Sequence, residues 1–294
     1  MRSISRASSL SRASRGLPLR AVAGIFLSLL AFQATAKTVG DPKLKSSSVL
    51  ILDQSDSSVL YSRNSDVAAP IASITKLMTA LVVLDADQPL DEPIQITDAD
   101  RDHPKGSFSR LTVGTTLTRG DLMHLALMAS ENRAAHALGN NYPGGMTAMV
   151  AAMNAKAQEL RMSSAHFVDP TGLSSQNVAS PEDLSKLVIA ASKNRTIREF
   201  STDKNYAVRV HKRLVEFRNT DKLVANPTWN IIVQKTGYIA AAGKCLVMAA
   251  VIEGRSVVIV LLDSFGKYTR VADAQRIKTW MANTSSPRFG VSIR

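Results

Sequence analysis

Strand-like runs stand at both ends of this chain and helix-like runs fill its middle, and that arrangement constrains the fold more than any single motif. Ser48–Asp53 and Val59–Arg63 are short β-type runs separated by the polar stretch 54–58, which reads as a hairpin. From Tyr206 onward strand patterns return: Tyr206–Val210, Leu214–Arg218, Asn230–Lys235, Lys244–Ile252 and Ser256–Asp263, with Glu253-Gly254-Arg255 as a tight turn between the last two. Between them, apolar residues recur at helical spacing. Ala72–Asp85 is apolar on most sides and should be buried. Pro70 reads as its start signal. The stretch from Glu92 to Leu117 is polar and reads as irregular with short strands. Thr118 opens a second helix, with Asp121 completing a capping box. Met146–Leu160 and Pro181–Asn194 follow, and an amphipathic helix over about Lys267–Met281 closes the chain. An N-terminal hairpin and C-terminal strands can share one antiparallel sheet only if the helical middle is inserted as a lobe. The expectation is an α+β fold: a central antiparallel sheet of about five strands flanked by helices, with a mostly helical lobe over about 86–204.

The first 36 residues stand apart. Five arginines and no acid precede an apolar run from Ala21 to Phe32 and then Ala34-Thr35-Ala36, the pattern of an export signal cleaved after Ala36. The apolar run is too short to favour a membrane-spanning helix. Cleavage would leave residues 37–294, with 31 basic residues against 24 acids, a net charge of +7. A moderately basic exported protein suits an anionic polymer or a membrane surface, and the same charge equally serves solubility. Cys245 is the only cysteine, so no internal disulfide can form; its apolar neighbours mark it as a small buried hydrophobe rather than a reactive thiol. His103, His124, His136, His166 and His211 are scattered, and no metal-ligand spacing is present. No metal, organic cofactor or nucleic-acid partner is expected.

Three short motifs occur in a fixed order: Ser73-Ile74-Thr75-Lys76, Ser130-Glu131-Asn132 and Lys235-Thr236-Gly237. Each is weak alone. S-x-x-K also occurs at Ser201 and Ser264, and S-x-N at Ser62, Ser175 and Ser192. Lys-Thr-Gly occurs once, and only Ser73 has an S-x-N between itself and Lys235. Ser130 is the later candidate that abuts an apolar helical run.

The residue types suit nucleophilic catalysis. A serine at the first turn of a helix and a lysine three residues on lie one turn apart on one face, so the amine reaches the hydroxyl. To act as base, Lys76 must be neutral part of the time, which burial and a nearby second cation such as Lys235 would favour. Ser130 can relay a proton to a leaving amine, and the amide of Asn132 can both donate to and accept from a peptide backbone. Lys235 and Thr236 can grip a carboxylate, and Gly237 lets a substrate strand approach the backbone.

The segments Pro70–Ala80, Ala129–Ala135, Phe167–Leu173 and Lys235–Tyr238 resemble the low-molecular-mass penicillin-binding proteins, the D-alanyl-D-alanine carboxypeptidase and endopeptidase family. The resemblance covers residues 45–282. Tyr142–Gly145, Trp229–Ile231, Ala242–Met248 and Phe265–Tyr268 bring it nearest to the endopeptidase branch. It implies a β-lactamase/transpeptidase-like fold and hydrolysis of D-alanyl-to-diaminopimelate cross-links of peptidoglycan in cell-wall remodelling. By position it makes Ser73 the acyl-ester nucleophile, Lys76 the general base, Ser130 the proton shuttle and Asn132 a substrate contact. Lys235 and Thr236 become the carboxylate contact, with Gly237 beside them, and the N–H groups of Ser73 and Tyr238 the oxyanion hole. β-Lactam antibiotics are then covalent inhibitors, and the location is the periplasm, with at most peripheral membrane or cell-wall association.

Glu131 stands where many β-lactamases have aspartate, and Leu160–Ser163 does not supply the deacylating glutamate pattern of the class A enzymes. Penicillin should therefore acylate Ser73 and stay. From the chain's end near Arg294, the additional β-rich domain and amphipathic anchor that carboxypeptidases of the family often carry are expected to be absent. Two alternatives stay open at this point: a carboxypeptidase trimming pentapeptides, and a non-catalytic penicillin-sensing or peptidoglycan-binding domain.

Overall fold

A computed structural model describes residues 40–101 and 109–285, and in it the two ends of the chain meet in one five-stranded antiparallel sheet. The strands are β1 (Ser46–Asp53) and β2 (Val59–Arg63), then β9 (Asn230–Ile239), β10 (Gly243–Ile252) and β11 (Arg255–Ser264), in the spatial order β2-β1-β11-β10-β9. β1 pairs directly with β11, Leu50 facing Val260 and Ile51 facing Ile259. The segment expected to act as an export signal, His103 and the residues after Ser285 lie outside the described residues.

The run Val257–Leu262 is buried at every position because the sheet is covered on both faces. Val258, Val260 and Leu262 point into the larger core with the central helices; Val257, Ile259 and Leu261 point into a second core with Ala274, Ile277 and Met281 of the last helix, α7 (Thr269–Ser285). A strand buried on both sides reads as continuous apolar sequence, which is why no clean alternation appears here.

Elements between the sheet's two parts position the site. A 3-10 turn over Ala72–Ile74 leads into α1 (Thr75–Asp85), buried from Thr75 to Val83. Pro70 belongs to a two-residue strand, β3 (Ala69–Pro70), which pairs with β6 (Val178–Ala179). β4 (Pro93–Gln95) and β5 (Thr116–Thr118) form a small ribbon. The Thr118–Asp121 capping box then opens α2 (Arg119–Met128). Next come α3 (Asn132–Asn140), α4 (Gly145–Glu159), α5 (Pro181–Lys193) and α6 (Arg195–Thr202). Within the 86–204 stretch, α5 lies against the central sheet itself, touching β1, β9, β10 and β11.

Not every C-terminal strand joins the central sheet. β7 (Asn205–Val210) and β8 (Arg213–Arg218) pair only with each other. Their apolar residues alternate with Arg209, Arg213, Glu216 and Arg218, so this hairpin has one face to bury, and it packs on α2 and β5.

Cys245 is fully buried in β10, and burial pushes its thiol up to about 11. A thiol-disulfide reagent at pH 8 is expected to leave it untouched in the native protein and to modify one thiol per chain after denaturation. Rapid modification of the native protein would contradict the packing described.

Candidate active site

The cleft is built from four segments that the sequence holds far apart. The first is the 3-10 turn carrying Ser73. Ala72 adopts a left-handed φ of 49° there, uncommon for a residue with a side chain, and main-chain groups from two glycines press against the turn. A Cβ added to Gly172 would lie 2.0 Å from the Ala72 carbonyl oxygen, and one added to Gly237 would lie 3.0 Å from that of Ile71 and 3.1 Å from the Ser73 nitrogen. Only residues without side chains fit this close approach.

Lys76, in the first turn of α1, is fully buried. Its Nζ donates to Ser73 Oγ at 2.9 Å, Asn132 Oδ1 at 2.7 Å and the Thr171 carbonyl at 2.6 Å. Three acceptors match the three N–H bonds of an ammonium, and deprotonation leaves a lone pair for the Ser73 hydroxyl to donate to across the same contact.

The second segment joins α2 to α3. Ser130 takes a left-handed φ of 59°, which turns the chain sharply enough for Asn132 to begin α3 beside Lys76. Glu131 is buried and accepts from the Ser109 hydroxyl. The third is the loop before β6, ordered by Asp169, whose carboxylate accepts from the Thr171 and Gly172 main-chain nitrogens at 2.6 and 2.7 Å. That arrangement aims the Thr171 carbonyl at Lys76.

The fourth segment is β9, the edge strand, with Lys235, Thr236, Gly237 and Tyr238. Thr236 Oγ1 lies 2.6 Å from Thr220 Oγ1, and Lys235 Nζ donates to the Thr236 carbonyl at 2.9 Å. Lys235 is fully buried, and its ammonium is pushed well below its ordinary range, first by burial and then by the charges of Lys76 and Arg270. Asp221 opposes that shift, while burial raises its own carboxyl.

A cleft of about 250 Å³ is lined by Ser73, Ser130, Asn132, Thr236, Gly237 and Tyr238, joined by Leu173, Thr220 and Arg270. All eight residues singled out from the sequence therefore gather here, six in the wall and the two lysines behind it. Larger grooves exist, one of about 640 Å³ against α7, but its lining includes no residue of the three motifs. Among the described residues no group of His, Cys, Asp and Glu has the arrangement of a metal site.

Three participants escaped the sequence reading. Arg270 of α7 enters the wall, and its Nη1 donates to the Gly237 and Cys245 carbonyls at 2.9 and 3.2 Å. Thr220 buttresses Thr236. Thr171 lies in the Phe167–Leu173 segment that carries the resemblance, but it acts through its carbonyl, which any residue could supply, so its side chain does not mark the role. Lys235 is expected at the carboxylate contact; it lies buried behind the wall, and the cation in the wall itself is the half-buried Arg270.

Comparison with known proteins gives one answer. Residues 35–266 match the Peptidase S11 family, described as D-alanyl-D-alanine carboxypeptidase. A D-alanyl-D-alanine endopeptidase of Pseudomonas aeruginosa is 47% identical over 268 residues, covering 87% of this chain and 86% of that protein. One from Escherichia coli K12 is 46% identical over 250 residues, covering 84% and 81%. Among solved structures, a D-alanyl-D-alanine carboxypeptidase of Mycobacterium tuberculosis superposes with a TM-score of 0.77 at 28% identity, covering 86% of this chain and 96% of that one. The Streptomyces K15 DD-transpeptidase superposes with a TM-score of 0.76, also at 28% identity, covering 82% and 98%. With its serine-lysine cleft and these relatives, the chain belongs to the Peptidase S11 family and is a serine D-alanyl-D-alanine peptidase.

Proposed function

We propose that this enzyme is an exported endopeptidase that hydrolyses D-alanyl-to-diaminopimelate cross-links of peptidoglycan through an acyl-ester on Ser73. The observation that carries the reading is the 2.9 Å contact between Lys76 Nζ and Ser73 Oγ at the base of a cleft that also presents Ser130 and Asn132. In its neutral form Lys76 takes the Ser73 proton as Oγ attacks the D-alanyl carbonyl carbon. The tetrahedral oxygen accepts from the N–H groups of Ser73 and Tyr238, a placement supported by the closeness of Gly237 to the Ser73 nitrogen. Ser130 relays the proton from Lys76 to the leaving amine, and the C–N bond breaks. Water then attacks the ester by the reverse path, giving up its proton to Lys76, which returns it to Ser73 Oγ.

Asn132 holds the peptide backbone of the acyl part. Thr236 and Arg270 hold the carboxylate next to the leaving amine, with Lys235 adding charge from behind. The endopeptidase branch is supported by its two relatives of 46 and 47% identity, against 30% or less for the carboxypeptidase relatives. Residues 1–36 act as the export signal, and residues 37–294 form the periplasmic catalytic unit with its helical lobe.

Labelled penicillin followed by intact mass and peptide mapping tests the chemistry. One stable adduct on Ser73 is expected; an adduct on Ser130, or none, would sink the mechanism. Chromatography of products from purified cross-linked dimers and uncross-linked pentapeptides tests the branch. The dimer should be split into monomers, and release of D-alanine alone would mean a carboxypeptidase.

A further inference from the structure

Beyond the cleft wall the surface changes character. Tyr238 is 60% exposed and Tyr268 58% exposed, large values for aromatic rings, and both carry ammonium groups over their faces. Lys244 Nζ lies 4.1 Å from the Tyr238 ring centre; Lys222 Nζ and Lys267 Nζ lie 5.8 and 5.3 Å from that of Tyr268. These residues come from β9, β10, the segment after Thr220 and the segment before Arg270. Tyr238 itself lines the cleft, Tyr268 precedes Arg270 by two residues and Lys222 follows Thr220 by two. Each ring and lysine thus belongs to, pairs with or stands within three residues of a wall residue on the side of Thr220, Thr236 and Arg270. Among the described residues none of these three lysines forms an ion pair with an acid. Asp263, the exposed acid nearby on β11, accepts from the Ser47 hydroxyl.

We infer that Lys222, Lys244 and Lys267, with the rings of Tyr238 and Tyr268, form a subsite for the second stem peptide of a cross-linked substrate, the anionic part that leaves after acylation. The inference rests on the endopeptidase reading and extends it. The carboxylate bound at Thr236 and Arg270 belongs to the residue whose amine departs. In free D-alanine that residue carries a methyl group and the substrate ends there. In a cross-link it is diaminopimelate, whose chain of methylenes runs on past the carboxylate into another peptide bearing carboxylates of its own. Only the cross-linked substrate reaches the patch, and its charge is complementary to three unpaired ammonium groups. The aromatic faces add contact area for the methylene chain.

The test is a variant carrying Lys222→Glu, Lys244→Glu and Lys267→Glu, assayed beside the native enzyme with its melting temperature checked. For purified cross-linked dimers kcat/KM should fall by about 10- to 30-fold, the product of several individually small surface charge pairs. Penicillin acylation, and any D-alanine release from a small diacyl-D-alanyl-D-alanine peptide, should change less than about twofold, since neither ligand extends to the patch. Native activity on dimers should also fall more steeply with added salt than the variant's. An equal loss on dimers and penicillin would show that the lysines support the catalytic cleft, and no loss on either would show that they bind nothing; both overturn the subsite. Native enzyme that leaves dimers intact while releasing D-alanine would instead overturn the endopeptidase reading beneath it.

Discussion

Alanine at position 172 is expected to slow penicillin acylation by about two to three orders of magnitude and to lower the melting temperature by roughly 10 °C. Gly172 has a φ of 79°, in the left-handed region, and its missing side chain makes room for the Ala72 carbonyl, 2.0 Å from where a Cβ would stand. A methyl group there must displace either the loop or the 3-10 turn by more than an ångström. The turn carries Ser73, and the loop carries the Thr171 carbonyl that holds Lys76. Either movement separates nucleophile from amine. Left-handed strain of about 1–2 kcal/mol and overpacking of about 1–3 kcal/mol add on the stability side. Gly254→Ala is the control. It has a φ of 75° but nothing within 4 Å of its added Cβ, so it should lose about 1–2 kcal/mol and acylate at the native rate. Stopped-flow acylation and thermal melting of the two variants separate strain from steric displacement. Normal acylation in Gly172→Ala would mean that the loop does not hold the turn in place.

Methionine at position 76 is expected to slow acylation by about four orders of magnitude, the upper range for loss of a general base. Methionine approximates the volume of the buried stem but brings no amine, so Ser73 loses its proton acceptor. Two further acceptors, Asn132 Oδ1 and the Thr171 carbonyl, lose their donor in a buried place. The same substitution removes one of two ammonium groups that repel each other across the site, and it should therefore lift the Lys235 ammonium from its depressed range. The variant should consequently stay folded, with a melting temperature within a few degrees of the native protein. Acylation at more than a tenth of the native rate would remove Lys76 from the role of base.

Much of this site was legible because its chemistry sits in side chains at fixed local spacing. Ser73 and Lys76 need one helical turn, and Lys235–Gly237 needs one strand, β9, which runs on to Ile239; both patterns are short-range. The Thr118–Asp121 box and the apolar strands β10 and β11 were legible for the same reason. Arg270 was not, because nothing around it in sequence marks an arginine of α7 as a wall of a cleft formed by β9. It becomes part of the site only when α7 packs across β10 and β11. α3 was missed as a helix because its start coincides with the polar Ser130–Asn132 cluster, and the left-handed turn at Ser130 that separates it from α2 has no glycine to announce it. The β7–β8 hairpin showed strand periodicity correctly, but periodicity does not say which sheet a strand joins.

The spatial order of the central sheet leaves β9 with a neighbour on one side only. Along its other side, at Thr236, Gly237 and Tyr238, runs the cleft. An extended ligand can lie there as a guest strand, its own amides and carbonyls completing a ladder that the protein leaves half built. Recognition of that kind reads the direction and handedness of a peptide through its main chain and leaves the choice of side chain to the other walls of the cleft.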